Sequence, residues 1–326
     1  MIRANLSSDY FTNRQDRYHV LCSREITDYF HEIHKAVCSI SYIVKPDSKA
    51  PGGFVLHWPT ANASTSPLSD CAKFNEDATR ILNPLIRTAS NEKKLASAKS
   101  QTSVYPIFQF TSLLRPDTST ELPAMRTILH ALPQARFAGS KWVFTAGYFN
   151  MIPEIQNLLL ASKPAQATVI AASPWANGFY GSKGLSGMLP AAYSLLSRRF
   201  LDAIAKAGQS DRVKLKEWRH GTVNQPGGWT YHAKGLWITL PQEKDPSIAI
   251  IGSSNYTKRS YSLDLEANAF IVTQDRNLMR RLGEEQERLQ AHARVVDRDE
   301  FAKTERRVGL HVRVAMWIVT LLGGAL

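Results

Sequence analysis

The stretch YHAKGLWITLPQEKDPSIAIIGSSNYTKRSYSLDLE, residues 231–266, carries the most specific chemical signal in the chain. His232 and Lys234 are two residues apart, and on a β-strand side chains at i and i+2 share a face, so both are expected in one pocket. The strand IAIIG runs into GSSN, where small residues let backbone and a side-chain amide approach a ligand closely. An imidazole can act as nucleophile or general acid near neutral pH. A neighbouring lysine and asparagine can hold the non-bridging oxygens of a phosphodiester. The motif has no clustered carboxylates or further histidines, so the chemistry it suggests is phosphoryl transfer without a metal. An isolated HxK is a common triplet. HxK followed by an apolar strand, GSxN and a carboxylate at Glu266 is far more selective.

Outward from this stretch, short apolar strands alternate with helical patterns. VYPIFQF (104–110), WVFTAGY (142–148), ATVIAAS (167–173), VKLKEW, KGLWITL, IAIIG and NAFIVT read as strands, the first an edge or bulged one because of its interior proline. Residues 120–132, IPEIQNLLLAS and LPAAYSLLSRRFLDAIAKAG read as the helices between them, which predicts an α/β architecture. Ile26, Tyr29, Phe30, Ile33 and Val37 predict a helix over 24–39, on which His31 and His34 are ordinary helix residues rather than zinc ligands. Residues 45–70 are rich in turn formers and read as a loop or insertion, with a further helix over 75–90 and a polar stretch to about 100. A boundary is expected near 135–140. A weak echo links the two ends of the chain: Asn5 and Asn255 are each followed eleven residues later by a carboxylate, Asp16 and Glu266.

The 326 residues suffice for one large domain or two packed ones. Apolar residues make up 44% and charged residues 21%, a globular composition. The formal charge of +12 favours anionic partners without choosing among nucleic acid, lipid headgroups and small phosphates. Basic residues are scattered and no aromatic–basic stripe is evident, so nucleic acid is not expected. Cys22, Cys38 and Cys71 show no CxxC spacing and read as reduced thiols. No run approaches the roughly 20 apolar residues of a spanning helix. Val314–Leu326, behind Arg306, Arg307 and Arg313, reads either as a helix docked on the protein or as one dipping into a membrane surface. No import signal is visible.

Within the decisive stretch the pattern is similar to the HKD motif of the phospholipase D superfamily. ANLSSDYFTNRQDRY, TAGYFN, ASPWANGFYGSKG, YHAKGLW and GSSNYTKRS…DLEA together resemble the eukaryotic mitochondrial CDP-diacylglycerol–glycerol-3-phosphate 3-phosphatidyltransferases. The resemblance covers most of the chain and is weakest in 45–100 and after 280. It implies a pseudo-twofold pair of α/β sandwich lobes: 1–138 the remainder of a first lobe with an insertion at 45–100, 139–300 the second lobe, and 301–326 a basic, apolar terminal helix. It implies that a first-motif histidine attacks the phosphorus of CDP-diacylglycerol, that CMP leaves, and that glycerol 3-phosphate takes the phosphatidyl group from histidine. His232 would then be the general acid and base, with Lys234 and Asn255 on the phosphate oxygens. Asp16 would hold the other ring nitrogen of His232, and Glu266 would orient the first-motif histidine. Asn5 and Ser253 would line the substrate.

ANGFYGSKG reads either as a tight connection or as a cleft-edge loop with Asn177 and Lys183 near the phosphate. Arg14 and Arg259 could pair with acidic neighbours or support the same site. Trp218, Trp229 and Trp237 read as core packing ahead of ligand contacts. No metal or organic cofactor is expected; an anionic membrane surface is the expected partner, and the resemblance implies a peripheral place on the mitochondrial inner membrane. Two positions depart from the pattern: Thr239 stands where the superfamily has Asp, and Trp175 where this family carries Glu. The first HxK, expected ahead of Asn5, is not in the sequence. The chain is therefore expected to be an N-terminally truncated form, inactive alone. A phosphodiesterase or nuclease, and a catalytically dead lipid-binding remnant, are the alternatives.

Overall fold

The computed structural model describes residues 7–88 and 100–321. In chain order its main elements are α1 (Asp9–Thr12), β1 (Arg14–Gln15), α2 (Arg24–Cys38), β2 (Ile43–Pro46), β3 (Phe54–His57) and α3 (Cys71–Thr88). There follow β4 (Thr102–Gln109), α4 (Glu121–Ala131), β5 (Lys141–Ala146), α5 (Pro153–Ala161), β6 (Gln166–Ala172), α6 (Leu189–Lys206) and β7 (Val213–Trp218). The last third holds β8 (Thr230–Tyr231), β9 (Lys234–Thr239), β10 (Ile248–Gly252), α7 (Lys258–Ser262), β11 (Glu266–Thr273), α8 (Arg276–Gln290), β12 (Ala293–Val295) and α9 (Leu310–Leu321).

Eight strands form one mixed sheet in the order β12-β7-β6-β5-β9-β10-β11-β4. β5, β6 and β7 are parallel and joined by helical crossovers, whereas β9, β10, β11 and β4 run antiparallel. β9 is buried at every position, as a strand covered on both faces must be. One face packs Phe144, Leu236, Ile250 and Phe270 with Met125, Ile155 and Phe200 of the helices; the other packs Trp237, Ala249 and Trp218 with Leu282 and Leu289. Trp218 and Trp237 are thus core residues, and Trp229 packs against them. β4 is an edge strand, and its Pro106, placed opposite Ala269, needs no second neighbour.

Three expectations change. The sheet does not divide near 138: all eight residues of β4 pair with β11, so the strand before that position shares a sheet with those after it. Residues 45–70 are not simply a loop. DSKAPGG (47–53) is the connection of an exposed antiparallel hairpin in which Ile43 pairs with His57 and Pro46 with Phe54. Nor is all of 45–100 an insertion, because α3 buries Phe74, Ala78, Leu82 and Ile86 against Ile33 and Ala36 of α2 and Phe108 of β4. α2 starts where expected, with the Ser23 hydroxyl accepting from the Ile26 amide as its cap. The polar stretch up to residue 99 falls outside the described residues, as does Asn5.

α9 docks through Val312 and Met316 onto Ala192 of α6 and turns other apolar residues outward. Among the described residues no helix is long and apolar enough to cross a membrane.

Candidate active site

The site begins where the chain enters the middle of the sheet. β1 lies parallel to β8, pairing Arg14 with Thr230 and Gln15 with Tyr231. The amide of His232 then donates to the Gln15 carbonyl at 2.8 Å. This pairing carries Asp16 to the imidazole: Asp16 Oδ2 lies 2.8 Å from His232 Nδ1. Lys234 Nζ lies 2.9 Å from Nδ1 and 3.0 Å from Nε2, and donates to the His232 carbonyl at 3.0 Å. A carboxylate only accepts and an ammonium only donates, so the arrangement that suits both is Nδ1–H donating to Asp16, with Nε2 as acceptor. The Tyr10 hydroxyl is 3.3 Å from Nδ1, and the rings of Tyr10 and Tyr148 meet the imidazole edge-on at centroid distances of 5.4 and 5.7 Å. The histidine side chain keeps 15% of its surface open, while Asp16 keeps 3%. Lys234 is 2% exposed. Gly147, at the end of β5, makes room: a Cβ there would sit 2.7 Å from the Tyr231 carbonyl oxygen.

Behind this group the strap of residues 13–19 is fastened by Arg17, a buried side chain that its sequence context did not single out. Its guanidinium donates to Glu285 at 3.1 and 3.0 Å, to the Lys234 carbonyl at 2.9 Å and to the Ile250 carbonyl at 2.7 Å. It also stacks on Trp237, with 3.8 Å between Cζ and the ring centroid. Glu285 accepts in addition from the Trp237 indole at 3.0 Å, and His19 Nε2 lies 2.9 Å from its Oε1. Burial pushes this carboxyl up, but the Arg17 charge and these hydrogen bonds outweigh it and hold Glu285 well below the usual carboxylate range. Gly235 makes the insertion possible at a φ of +144°; a Cβ there would lie 1.9 Å from a guanidinium nitrogen of Arg17.

The GSSN turn is built next to these residues. A Cβ on Gly252 would stand 1.7 Å from Asn268 Oδ1, which accepts from the Ser254 amide at 3.2 Å. The Ser253 hydroxyl accepts from the Ala267 amide at 3.1 Å, and the Asn255 amide donates to the Ser260 hydroxyl at 3.2 Å. Asn255 Oδ1 is buried with no hydrogen-bond partner among the described residues. Glu266 is 3% exposed, and burial raises its pKa against the hydrogen bonds of Ser253 and Ser260 and the charge of Lys234. Deeper still, Glu121 is fully enclosed. Desolvation pushes it up to about 8, while Asn268 donates to its Oε2 at 2.7 Å.

The structure thus gathers His232, Lys234 and Asp16 within hydrogen-bonding distance and sets Glu266 in the field of Lys234. Other expected site residues lie differently. Asn177 is 1% exposed, and its Oδ1 accepts from the Phe179 amide at 2.9 Å, closing the ANGFYG turn rather than facing solvent. Lys183 is exposed on the same loop. Arg14 donates to Thr230 at 3.0 Å and lies 3.5 Å from Asp9; Arg259 pairs with Asp264 at 2.9 Å. Both arginines therefore have the acidic partners that formed one of their two readings. Trp175 sits beneath Arg219, 4.3 Å from Cζ to ring centroid, and near Arg306 at 5.5 Å, so an aromatic face meets both cations. Arg17, Glu285, Tyr10, Tyr148 and Glu121 were missed. The glycine of HAKG, required by the Arg17 insertion, is a trace of Arg17 within the motif.

No family model matches the chain. It is 42% identical to the CDP-diacylglycerol–glycerol-3-phosphate 3-phosphatidyltransferase of Saccharomyces cerevisiae, over 97% of its own length and 62% of that protein. It is 32% identical to the mitochondrial protein of that name from Homo sapiens, over 95% of its own length and 56% of the relative. The chain therefore spans about three fifths of the length of these relatives. Among solved structures, phosphatidylserine synthase of Haemophilus influenzae aligns with a TM-score of 0.66 and 20% identity, covering 98% of this chain and 65% of that one. The chain thus shares the mixed α/β fold of that phosphatidylserine synthase.

Proposed function

We propose that this chain, a homologue of the CDP-diacylglycerol–glycerol-3-phosphate 3-phosphatidyltransferases and so an enzyme of the phospholipase D superfamily by descent, carries the second-motif half of a phosphatidyl-transfer site. The observation that supports the reading best is the 2.8 Å contact between Asp16 and His232 Nδ1, which leaves Nε2 to handle a proton at the reacting phosphorus. In the first step a second histidine forms a P–N bond as the P–O bond to CMP breaks, and His232 gives CMP its proton. In the second step His232 takes a proton from a hydroxyl of glycerol 3-phosphate. That oxygen bonds to phosphorus, the P–N bond breaks, and phosphatidylglycerophosphate is released. Splitting the displacement in two lowers each barrier. Lys234, a buried ammonium, neutralises the non-bridging oxygens, and Asn255 bonds them by donating from its side-chain amide NH2. Glu266 orients the second histidine, with Ser253 beside the substrate.

The sequence holds a single HxK, so these 326 residues do not supply the nucleophilic histidine in its motif. The chain by itself is expected to bind CDP-diacylglycerol and turn it over weakly. Residues 7–88 belong to the first lobe in this reading. The mitochondrial names of the human and mouse relatives support a mitochondrial membrane surface as the place of action. The test is CMP release from CDP-diacylglycerol with and without glycerol 3-phosphate, beside cleavage of single-stranded DNA. Rapid turnover by this chain that disappears in His232→Ala would sink the half-site reading, and DNA cleavage without CMP release would sink the substrate class.

A further inference from the structure

α9 is apolar on two faces. Val312 and Met316 dock on α6, whereas Leu310, Val314, Trp317, Ile318 and Leu321 are exposed, with Leu310 at 74%, Trp317 at 64% and Leu321 at 64%. Those five positions follow i, i+4, i+7, i+8 and i+11, the spacing of one continuous helical stripe. At the foot of this helix lies a cavity of about 510 Å³, between α6 and the segment that leads into α9. Arg198, Arg199, Arg307 and Arg313 line it, and among the described residues none of the four is in an ion pair. The carboxylate that also lines it, Asp202, is engaged by Arg298 at 2.7 Å. The fifth arginine of the lining, Arg306, is neutralised by Glu217 at 2.6 Å.

We propose that this cavity and the outer stripe of α9 form one docking site for the surface of an anionic phospholipid bilayer, away from His232. The four arginines take the phosphate of an acidic headgroup, and the stripe enters the acyl boundary beside it. Guanidinium forks fit phosphate oxygens, and an apolar helical face beside uncompensated cations is the combination that binds strongly to acidic membranes and weakly to neutral ones. The site does not depend on the transfer reading, because none of its residues touches the His232 group.

The test is co-sedimentation of the whole chain with vesicles of phosphatidylcholine alone or mixed with phosphatidylglycerol. The chain is expected to pellet with the mixed vesicles only. Arg307→Glu with Arg313→Glu weakens this by about tenfold or more, and so does Trp317→Ser with Ile318→Ser, which leaves every arginine in place. Arg24→Glu with Lys35→Glu on α2 alters net charge by the same amount and leaves binding intact. His232→Ala also leaves it intact. Equal binding to both vesicle types overturns the inference. So does an equal loss in the α2 variant, which would mean diffuse charge. Loss in His232→Ala would put the lipid at the transfer site, and displacement by inorganic phosphate at constant ionic strength with no effect of the Trp317 variant would mean a free-phosphate pocket.

Discussion

The guanidinium of Arg17 donates to the main-chain carbonyl of Lys234 at 2.9 Å, so the strap that delivers Asp16 is bonded to the backbone of the lysine that faces His232. The same side chain reaches the carbonyl of Ile250 at 2.7 Å, tying β9 to β10 just before the GSSN turn. Both walls of the site share one fastening.

Removing one member of a buried, hydrogen-bonded pair strands the other, at about 3–5 kcal/mol. Arg17→Ala is therefore expected to lower unfolding stability by that amount in urea titrations, with Glu285 left buried and charged. Arg17→Lys should recover little, since an ammonium cannot supply the planar fork that meets Glu285 and two carbonyls together. Gly235→Ala should lose as much, because its Cβ would overlap the guanidinium and stand 2.3 Å from the Ile250 carbonyl oxygen. A Gly235→Ala protein as stable as wild type would contradict this packing.

Lys234 and Asp16 should separate in binding experiments. Lys234→Met removes a charge-assisted contact to phosphate and is expected to weaken CDP-diacylglycerol binding about ten- to a hundredfold. Asp16→Asn leaves the phosphate contacts in place and should change binding by less than about threefold, its consequence falling on proton transfer instead. Calorimetric titration with a short-chain CDP-diacylglycerol in micelles reads both. Similar losses in the two variants would argue against these roles.

Glu121 makes stability depend on pH. Its folded pKa is pushed up to about 8, whereas an unfolded glutamate ionises near 4.5. Between those values the unfolded chain has released a proton that the folded one retains, so the contribution of Glu121 is fully present below about pH 4.5 and is lost as pH rises toward 8. In Glu121→Gln this component of the slope should vanish. Thermal unfolding across pH 5 to about 9 compares them, and parallel profiles for the two proteins would remove Glu121 as the cause.

The carboxy-terminal segment is held by the buried pair Arg306–Glu217, in which the side chains are 0% and 1% exposed. Arg306→Ala is expected to destabilise the fold by about 3–5 kcal/mol and to open residues 300–321 to limited proteolysis. Unchanged cleavage of that segment would mean that the contact of α9 with α6 suffices.

Much of the fold was readable because its strands are short apolar runs between turn formers, and all of those in the eight-stranded sheet except β12 had been anticipated from such runs. The hairpin β2–β3 was not, since its exposed strands alternate with nothing and its loop dominates the local composition. The joining of β4 to the later strands was equally hidden, because pairing across 160 residues leaves no local periodicity. At the site, His232 and Lys234 stood out by spacing. Asp16 came from the likeness of the two chain ends to a known family, and no rule of periodicity would have sent it to an imidazole far along the chain. Arg17, Glu285 and Glu121 were invisible for a related reason: a charged residue in sequence looks solvated until its partner's position is known.

The parallel pairing of β1 with β8 has a consequence for how the protein is made. Asp16 and His232 are 216 residues apart, and bringing such distant points together costs about 3.5 kcal/mol of chain entropy beyond that of a local turn. The contact between Asp16 and His232 is therefore expected to form late in folding, after the more local strand pairs of the sheet. A nascent chain can thus own most of its sheet and still lack this contact.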